Sequence, residues 1–373
     1  MITAITELAH LTVPDMELRP YGTKVTAAAV KPIPTIGYHV DRHRRPVPPL
    51  NRGDHSPMTT NEHPDFTRTE TSFTSEGIRC AATVFRPGTA AAMPLPAIVM
   101  AHGFGSPRAM RLYAYAEKFV AAGYIVCVFD YRHFGDSDGE PRQLLNVPAQ
   151  LVDWRNAVDF ARTLDGVDRN RIVGWGTSFA GGHVLTLAGN GVDFAAVIAQ
   201  VPHVDGIAAV RAVGLRHTLR VAPSAIRDGI RALLRRPPHY IDSVGLPGTR
   251  AVMVSPDAIT GRDQLIRESG LSDGDYPETV AARILLKIWR YSPGRTVSAI
   301  ECPTLVQIMS EDAVTPAAVA RRAAEKIRRA TIRNYPGGHF DPYVDPLFPA
   351  VVGDQLAFLT ENVPLAPRAL PTA

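Results

Sequence analysis

From about residue 66 onward, the apolar positions of the chain alternate between two rhythms. The first is the short continuous run, as in 95-LPAIVMAHG-103, 124-YIVCVFDY-131, 171-RIVGWG-176, 194-FAAVIAQVP-202 and 303-PTLVQIMS-310. Each run is too short for a helix and is bounded by turn-forming residues, so each predicts a strand buried on both faces. The second rhythm has helical spacing. Within 108-RAMRLYAYAEKFVAAG-123, Leu112, Tyr115, Phe119 and Val120 share a face, and Gly123 stops the helix. Within 149-AQLVDWRNAVDFARTL-164, Leu151, Trp154, Val158 and Ala161 recur at i, i+3, i+7 and i+10. A last strand is expected over 330–335 and a closing helix over 348-FPAVVGDQLAFL-359. At the front, 67-TRTETSF-73, the turn 74-TSEG-77 and 78-IRCAATVFRP-87 read as a hairpin. Strands alternating with helices predict an α/β fold, a mostly parallel twisted sheet flanked by helices.

Two stretches break this rhythm. Residues 1–65 contain 31-KPIPTIGYHVDRHRRPVPPL-50 and show little periodicity. Repeated prolines deny them helix and ladder hydrogen bonds, so a mostly disordered extension is expected. A functional tail is one reading of them and a misassigned start another, since Met58 opens 58-MTTNEHPDF-66, a plausible natural beginning. The second break separates the strand at 194–202 from the strand at 303–310, far more chain than a crossover needs. It holds helix-like pieces such as 223-PSAIRDGIRALLRR-236 and 277-PETVAARILLKIWRY-291. Residues 207–298 are therefore expected to form an inserted helical cap over the carboxyl edge of the sheet, where open α/β sheets bind ligands. The core would then comprise 66–206 and 299–373.

Composition narrows the class. Of the 373 residues, 45% are hydrophobic and 20% charged, enough for a sizeable core. No apolar run reaches the roughly 18 residues of a membrane span, and the N-terminus lacks the pattern of a secretory signal. Cys80, Cys127 and Cys302 are too few and scattered for a disulfide framework or a zinc site. A soluble cytoplasmic protein without a metal is expected. The net charge of +4 raises nucleic-acid binding, but no recognition motif accompanies the modest, arginine-rich surplus, and no nucleic-acid partner is expected.

Two serines invite a catalytic reading. In 171-RIVGWGTSFAGGHVL-185, Ser178 stands between a strand and a helix, with Gly176 and Ala180 two positions to either side. A strand–turn–helix elbow raises a serine above the sheet and aims the next N–H into the site. The flanking residues must be small because strand and helix backbones nearly touch. Ala180 departs from the G-x-S-x-G pattern by one methyl group, and Gly181 and Gly182 relieve the next positions. Ser137, in 135-GDSDG-139, fits the pentapeptide but lacks its setting. Aspartates, glycine and proline around it are turn chemistry, and a surface loop is expected there. A calcium site is a weaker reading of the same tract, which lacks a full ligand set.

The partners decide between them. Acid and histidine should follow the serine in that order, each just after a later strand. Asp312 sits past a buried run in 304-TLVQIMSEDAVTP-316, and a carboxylate there can fix a histidine's tautomer. Glu311 is adjacent, but alternation at a strand end keeps both from pointing inward, and Asp312 is preferred because 313-AVTP-316 then forms the turn after the acid. His339, in 335-YPGGHFDPY-343, is the one histidine after Asp312. His183 lies in the helix behind Ser178 and is expected to be packed structurally. The glycine-rich turn 102-HGFGS-106 permits close backbone approach to a ligand. Phe104 and Phe179 are the expected oxyanion N–H donors, with His102 organising the first loop.

Residues 66–362 resemble an α/β-hydrolase, similar to the dienelactone-hydrolase-like and serine-aminopeptidase-like branches and to the catalytic domains of prolyl-peptidase relatives. The pieces that carry the resemblance are 101-AHGFGS-106, 129-FDYRHFGDSDG-139, 174-GWGTSFAGG-182, 302-CPTLVQIMSEDAVTP-316 and 338-GHFDPY-343. In that family 129–139 corresponds to the ordinary loop after the fourth core strand. The departures are Ala180 at the elbow and Met309 where a glycine often precedes the acid. The resemblance implies a serine hydrolase acting on a small-molecule acyl substrate, an ester or related bond, through Ser178, His339 and Asp312 and an acyl-enzyme, without cofactor. The same residues would serve an acyltransferase with an alcohol or amine acceptor. A peptidase and a catalytically silent binding protein are the other readings. Arg211, Arg216, Arg220, Arg227, Arg231, Arg235 and Arg236 suggest either recognition of an anionic substrate or a solvated face. A membrane-surface helix is a further reading of this basic segment. Val213, Leu215, Leu219 and Val221 suggest an acyl pocket.

Overall fold

The computed structural model describes residues 60–88, 91, 93–272 and 274–366. Nine strands form one sheet: β1 (Thr60–His63), β2 (Phe66–Ser75), β3 (Ile78–Pro87), β4 (Leu95–Ala101), β5 (Ile125–Phe129), β6 (Val167–Thr177), β7 (Ala196–Gln200), β11 (Thr304–Met309) and β12 (Ala330–Tyr335). Their order is β1-β2-β3-β5-β4-β6-β7-β11-β12. The six strands from β5 to β12 run parallel, and β1, β2 and β3 complete one edge antiparallel. Three strands, β5, β7 and β11, are buried at every residue, as their largely apolar runs predict.

Helices α1 (Leu112–Ala121), α2 (Val147–Thr163), α3 (Phe179–Gly189), α7 (Ala317–Ala324) and α8 (Phe348–Asn362) cover the sheet. Side chains alternate across the strands, so each face has its own core. Val99 and Cys127 pack with Trp154 and Val158 of α2 and Val184 and Leu187 of α3. Ile98, Met100, Val126 and Val128 pack with Tyr115 and Phe119 of α1 and Phe348 and Leu359 of α8. Asn146 caps α2, its side chain accepting from the Ala149 N–H. Cys80 and Cys127 are buried in β3 and β5, and Cys302 lies just before β11.

The sheet begins earlier than its sequence suggests. β1 lies inside the segment expected to be a disordered extension and pairs with β2 from Thr60↔Thr69 to His63↔Phe66. Its residues, 60-TNEH-63, contain no proline, so their N–H groups can enter a ladder. Residues 1–59 lie outside the described part of the chain.

The insertion between β7 and β11 is mixed rather than purely helical. It holds α4 (Gly206–Val213), α5 (Leu215–Leu233), β8 (Tyr240–Val244), β9 (Ala251–Met253), α6 (Ala258–Glu268) and β10 (Thr279–Ala281), followed by short 3₁₀ turns. Strands β10, β8 and β9 make a small second sheet. The segment 277–291, expected to be helical, instead supplies β10 and 3₁₀ turns at Ala282–Leu286 and Ile288–Arg290. The β-branched Thr279 and Val280 pair with Asp242 and Ile241, and the Ala281 N–H donates to the Gln143 carbonyl at 2.9 Å. Asp228 joins α5 to the first of these turns. Its carboxylate is fully buried and accepts from the His239 N–H, the Arg283 N–H and the Arg283 guanidinium, at 2.7–2.9 Å. Burial pushes the Asp228 carboxyl up, but the Arg283 hydrogen bond and the backbone donors outweigh it and hold the group below its ordinary value.

Candidate active site

β6 runs directly into α3 at Ser178, which sits at φ 54° and ψ −115°. A non-glycine residue held there stores about 1–3 kcal/mol of backbone strain, and neighbouring chain holds it. The Ser178 N–H donates to the Gln200 carbonyl at 2.8 Å, and its own carbonyl accepts from the His203 N–H at 2.9 Å. The crossing of strand and helix is so tight that a β-carbon on Gly176 would lie 2.2 Å from the Ala180 carbonyl oxygen. The close contact is thus made by the backbone of residue 180. Its methyl group points into the core, fully buried, which is why alanine is accepted there.

Three loops at the carboxyl ends of β6, β11 and β12 bring Ser178, Asp312 and His339 into one hydrogen-bonded line. His339 Nε2 lies 2.9 Å from Ser178 Oγ, and His339 Nδ1 lies 2.7 Å from Asp312 Oδ2. An ionised carboxylate only accepts, so Nδ1 carries the ring proton and Nε2 presents a lone pair to the serine hydroxyl. All three residues are less than a tenth exposed. Asp312 Oδ1 accepts from the N–H groups of Val314 and Thr315 at 2.8 and 2.7 Å. Burial pushes the Asp312 carboxyl up, but the His339 ring and the Thr315 donors outweigh it and hold the group below its ordinary value. Its neighbour Glu311 is exposed, in the turn after β11.

Gly103 passes so close that a β-carbon there would lie 3.0 Å from Ser178 Cβ and 3.4 Å from its Oγ. Phe104 therefore follows directly beside the hydroxyl, and Phe179 opens α3 just after it. Their rings meet edge to face at 5.6 Å. His102 Nδ1 lies 3.0 Å from the Gly103 carbonyl. A carbonyl can only accept, so the ring proton sits on Nδ1 and ties the loop together.

Ser178 lines a small cavity that is open on one side. Met110, Leu112 and Phe340 from the core and Met253 and Leu265 from the insertion give it mostly apolar walls, and no aspartate or glutamate lines it among the described residues. One expectation about the insertion, the acyl pocket, is corrected here, and of the two readings of its arginines the solvated face is the one that fits. None of the seven arginines lines the cavity, nor do Val213, Leu215, Leu219 or Val221. Leu215 and Leu219 face solvent at 70% and 58% exposure, because the buried face of α5 is instead the one carrying His217, Val221, Ser224, Ala225 and Asp228.

The profile of the X-Pro dipeptidyl-peptidase (S15) family matches residues 76–238. The crystal structure of the alpha/beta hydrolase GrgF from Penicillium sp. sh18 superposes with a TM-score of 0.66 at 22% identity, covering 79% of this chain and 98% of that one. Quorum-quenching protein AidA of Acinetobacter baumannii (strain MDR-ZJ06) is 44% identical over 296 residues, 79% of this chain and 95% of AidA. The chain belongs to the α/β-hydrolase superfamily. Polyketide transferase ATR5 of Stachybotrys chlorohalonatus (strain IBT 40285) is a further relative, 34% identical over 49% of this chain and 59% of its own length.

As an α/β-hydrolase, the molecule uses its second serine and its other buried histidines as structure. Ser137 is buried, not on a surface loop. Its hydroxyl donates to the Asp130 carbonyl at 2.7 Å and accepts from the Ala81 N–H at 2.8 Å, pinning the turn to β3. Of the aspartates around it, Asp136 pairs with Arg108 and Asp138 with Arg79. His183 Nδ1 lies 2.6 Å from the Tyr291 hydroxyl and Nε2 lies 3.1 Å from Gln150 Oε1. Burial pushes His183 down to about 3 and His203 to about 4, so both rings are neutral at neutral pH.

Several polar supports of the hydrolase site escaped the sequence reading. The Thr315 hydroxyl lies 2.8 Å from Asp312 Oδ2 and 3.1 Å from the Val201 carbonyl, and its one proton can serve either. Beneath the elbow, Gln355 Nε2 donates to Gln200 Oε1 and Gln307 Oε1 at 2.9 and 2.6 Å, and Gln200 reaches Thr177, which also bonds Tyr343. The available signal was a glutamine inside an otherwise apolar strand, at 200 and 307, because a buried amide must find partners. Thr315 is placed to hold the Asp312 carboxylate in line with His339. Thr315→Val removes a donor to a charged acceptor, worth roughly 1.5–3 kcal/mol, and is expected to lower kcat about tenfold or more with KM little changed. Thr315→Ser, which keeps the hydroxyl, restores the rate. Steady-state kinetics on the three proteins check this, and equal rates in all of them would remove Thr315 from the site.

Proposed function

We propose that this protein hydrolyses a carboxylic ester or thioester with an apolar acyl group, through a serine-bound acyl-enzyme. The observation that carries the reading is the hydrogen-bonded line Ser178–His339–Asp312 ending at the floor of an apolar cavity. His339 Nε2 takes the proton of Ser178 Oγ as the oxygen attacks the acyl carbon. The carbonyl oxygen becomes an oxyanion, held by the N–H groups of Phe104 and Phe179. Asp312 keeps His339 in the required tautomer and stabilises the imidazolium. The tetrahedral intermediate collapses, His339 returns its proton to the leaving oxygen or sulfur, and the alcohol or thiol departs. Water then enters, gives a proton to His339, attacks the acyl carbon and releases the carboxylic acid, while Ser178 recovers its proton.

Acyl transfer to an alcohol or amine is the second reading, supported by the relative named as a polyketide transferase. It differs only in which acceptor enters after the first product leaves. Peptidase action is less well supported, because capture of a free amino terminus needs a carboxylate and the described walls carry none. A silent binding protein would have no need for the aligned proton path. The compartment that fits three free thiols is the reducing cytoplasm. No described helix is long and apolar enough to cross a membrane.

Purified protein assayed on esters and thioesters of graded acyl length, with and without added alcohols and amines, tests these readings. Hydrolysis that rises with acyl length over the acetate is expected. Turnover confined to aminoacyl amides would replace the esterase reading with the peptidase one. Transfer products dominating over free acid would favour the transferase.

A further inference from the structure

Helix α5 has three faces. His217, Val221, Ser224, Ala225 and Asp228 are buried on the protein. Leu215, Leu219, Ala222, Ile226, Ile230 and Leu233 follow at steps of four, three, four, four and three, which sets them in one stripe along the helix. Five of these six are large and exposed, at 70%, 58%, 40%, 52% and 85% for Leu215, Leu219, Ile226, Ile230 and Leu233. The stripe spans roughly 27 Å at the rise of an α-helix. Arg216, Arg220, Arg227 and Arg231 each follow a stripe residue by one position, so they form a second row about 100° round the helix. Among the described residues none of these guanidinium groups is ion-paired, and Asp228, the one acid of α5, is spent on Arg283. The patch continues onto Leu286, 38% exposed at the end of the 3₁₀ turn Ala282–Leu286 that packs against α5. Trp289, 40% exposed, donates its indole N–H to the Leu286 carbonyl at 3.1 Å, with the Arg290 guanidinium over its ring.

Contiguous apolar surface of this extent on a soluble chain marks an interaction site. Its chemistry selects the partner. We propose that α5, with Leu286 and Trp289, docks this protein onto an anionic lipid surface. With the leucine and isoleucine stripe sunk to the acyl boundary, the arginine row lies at headgroup depth, where phosphates accept from guanidinium groups, and Trp289 sits at the interface. Charge complementarity favours this occupant over a second copy. Two chains meeting stripe to stripe would bring two arginine rows together, and α5 offers them no free carboxylate. Docking would also bear on the site, since His217 Nε2 lies 3.0 Å from the Ala251 carbonyl of β9, and Met253 of that strand lines the cavity. The inference does not rest on the catalytic reading, because lipid binding is measured without turnover.

The test is flotation of the purified full chain with vesicles of phosphatidylcholine alone, or of equal parts phosphatidylcholine and phosphatidylglycerol, across a salt series. Binding to the anionic vesicles that weakens with salt is expected. The double variant Leu219→Glu/Ile230→Glu should bind about a hundredfold more weakly, since it removes two buried apolar side chains. The double variant Arg220→Glu/Arg227→Glu should lose the preference for anionic vesicles, by about tenfold or more. All these positions are surface-exposed or nearly so, and circular dichroism and a thermal unfolding midpoint matching the wild type verify that the variants fold. No flotation of the wild type, equal binding to neutral vesicles, or undiminished binding by either variant overturns the proposal. Self-association abolished by Leu219→Glu/Ile230→Glu, without vesicle binding, overturns it in favour of a second copy.

Discussion

Ser178→Ala is expected to lower turnover of a p-nitrophenyl ester by about four to six orders of magnitude, the range seen when a serine of such a constellation is removed. KM should change little, because the cavity walls that hold the acyl group are untouched. The size of the effect follows from the geometry. His339 Nε2 faces one proton donor within reach, Ser178 Oγ at 2.9 Å, and the other buried imidazoles near the elbow are neutral and engaged in structural bonds. Ser137 cannot stand in, since its hydroxyl is locked between the Asp130 carbonyl and the Ala81 N–H. The variant should also lose labelling by a fluorophosphonate probe. Retention of most ester turnover would remove Ser178 from the mechanism, and with it the acyl-enzyme.

The largest effect on stability is expected from Gly176→Ala. The added β-carbon would sit 2.2 Å from the Ala180 carbonyl oxygen, 2.5 Å from its carbon and 2.9 Å from the Gly181 nitrogen. These are backbone atoms of the first turn of α3, and no flexible side-chain end is available to yield. Little room lies behind it, since a β-carbon on Gly181 would lie 3.0 Å from Pro202 and one on Gly182 2.3 Å from the His203 carbonyl oxygen. A loss of about 3 kcal/mol or more is expected, larger than ordinary overpacking because backbone must shift. Thermal and urea unfolding measure it. Ala180→Gly is the contrast. It removes a methyl from the core side of the same crossing and should cost no more than about 1 to 2 kcal/mol, with turnover nearly unchanged. Equal stability of wild type and Gly176→Ala would mean that strand and helix do not touch as described.

Much of the core was legible because local pattern and tertiary placement coincide there. A run such as 303-PTLVQIMS-310 has no polar side to turn outward, so it can only be a strand covered on both faces. Ser178, Asp312 and His339 were legible for a related reason. Ser178 and Asp312 come just after such runs and His339 after the edge strand β12, and parallel strands deliver their carboxyl ends to one edge. Less was legible in the insertion. Thr279 and Val280 lay within an apparent helical pattern, and their pairing with β8 depends on a strand far away in sequence. Leu215 and Leu219 read as pocket lining, yet which face of α5 turns inward was set by Asp228 binding Arg283 and by His217 reaching the Ala251 carbonyl. A solitary pentapeptide also misleads. The tract around Ser137 is turn chemistry in sequence, but burial of the turn against β3 makes its serine an internal pin.

By itself the sequence determined the alternation of strands and helices, the tight strand-to-helix turn at Ser178 and the order in which acid and histidine follow. These depend on residues near one another in the chain, or on the single direction of parallel strands. Only the tertiary structure decided the 2.7 and 2.9 Å links among the three side chains, the support from Thr315 and the buried glutamines, the apolar cavity and the outward stripe of α5. Those features need groups from distant segments to meet. A side chain's partners in space, unlike its period in sequence, are fixed when the whole chain packs.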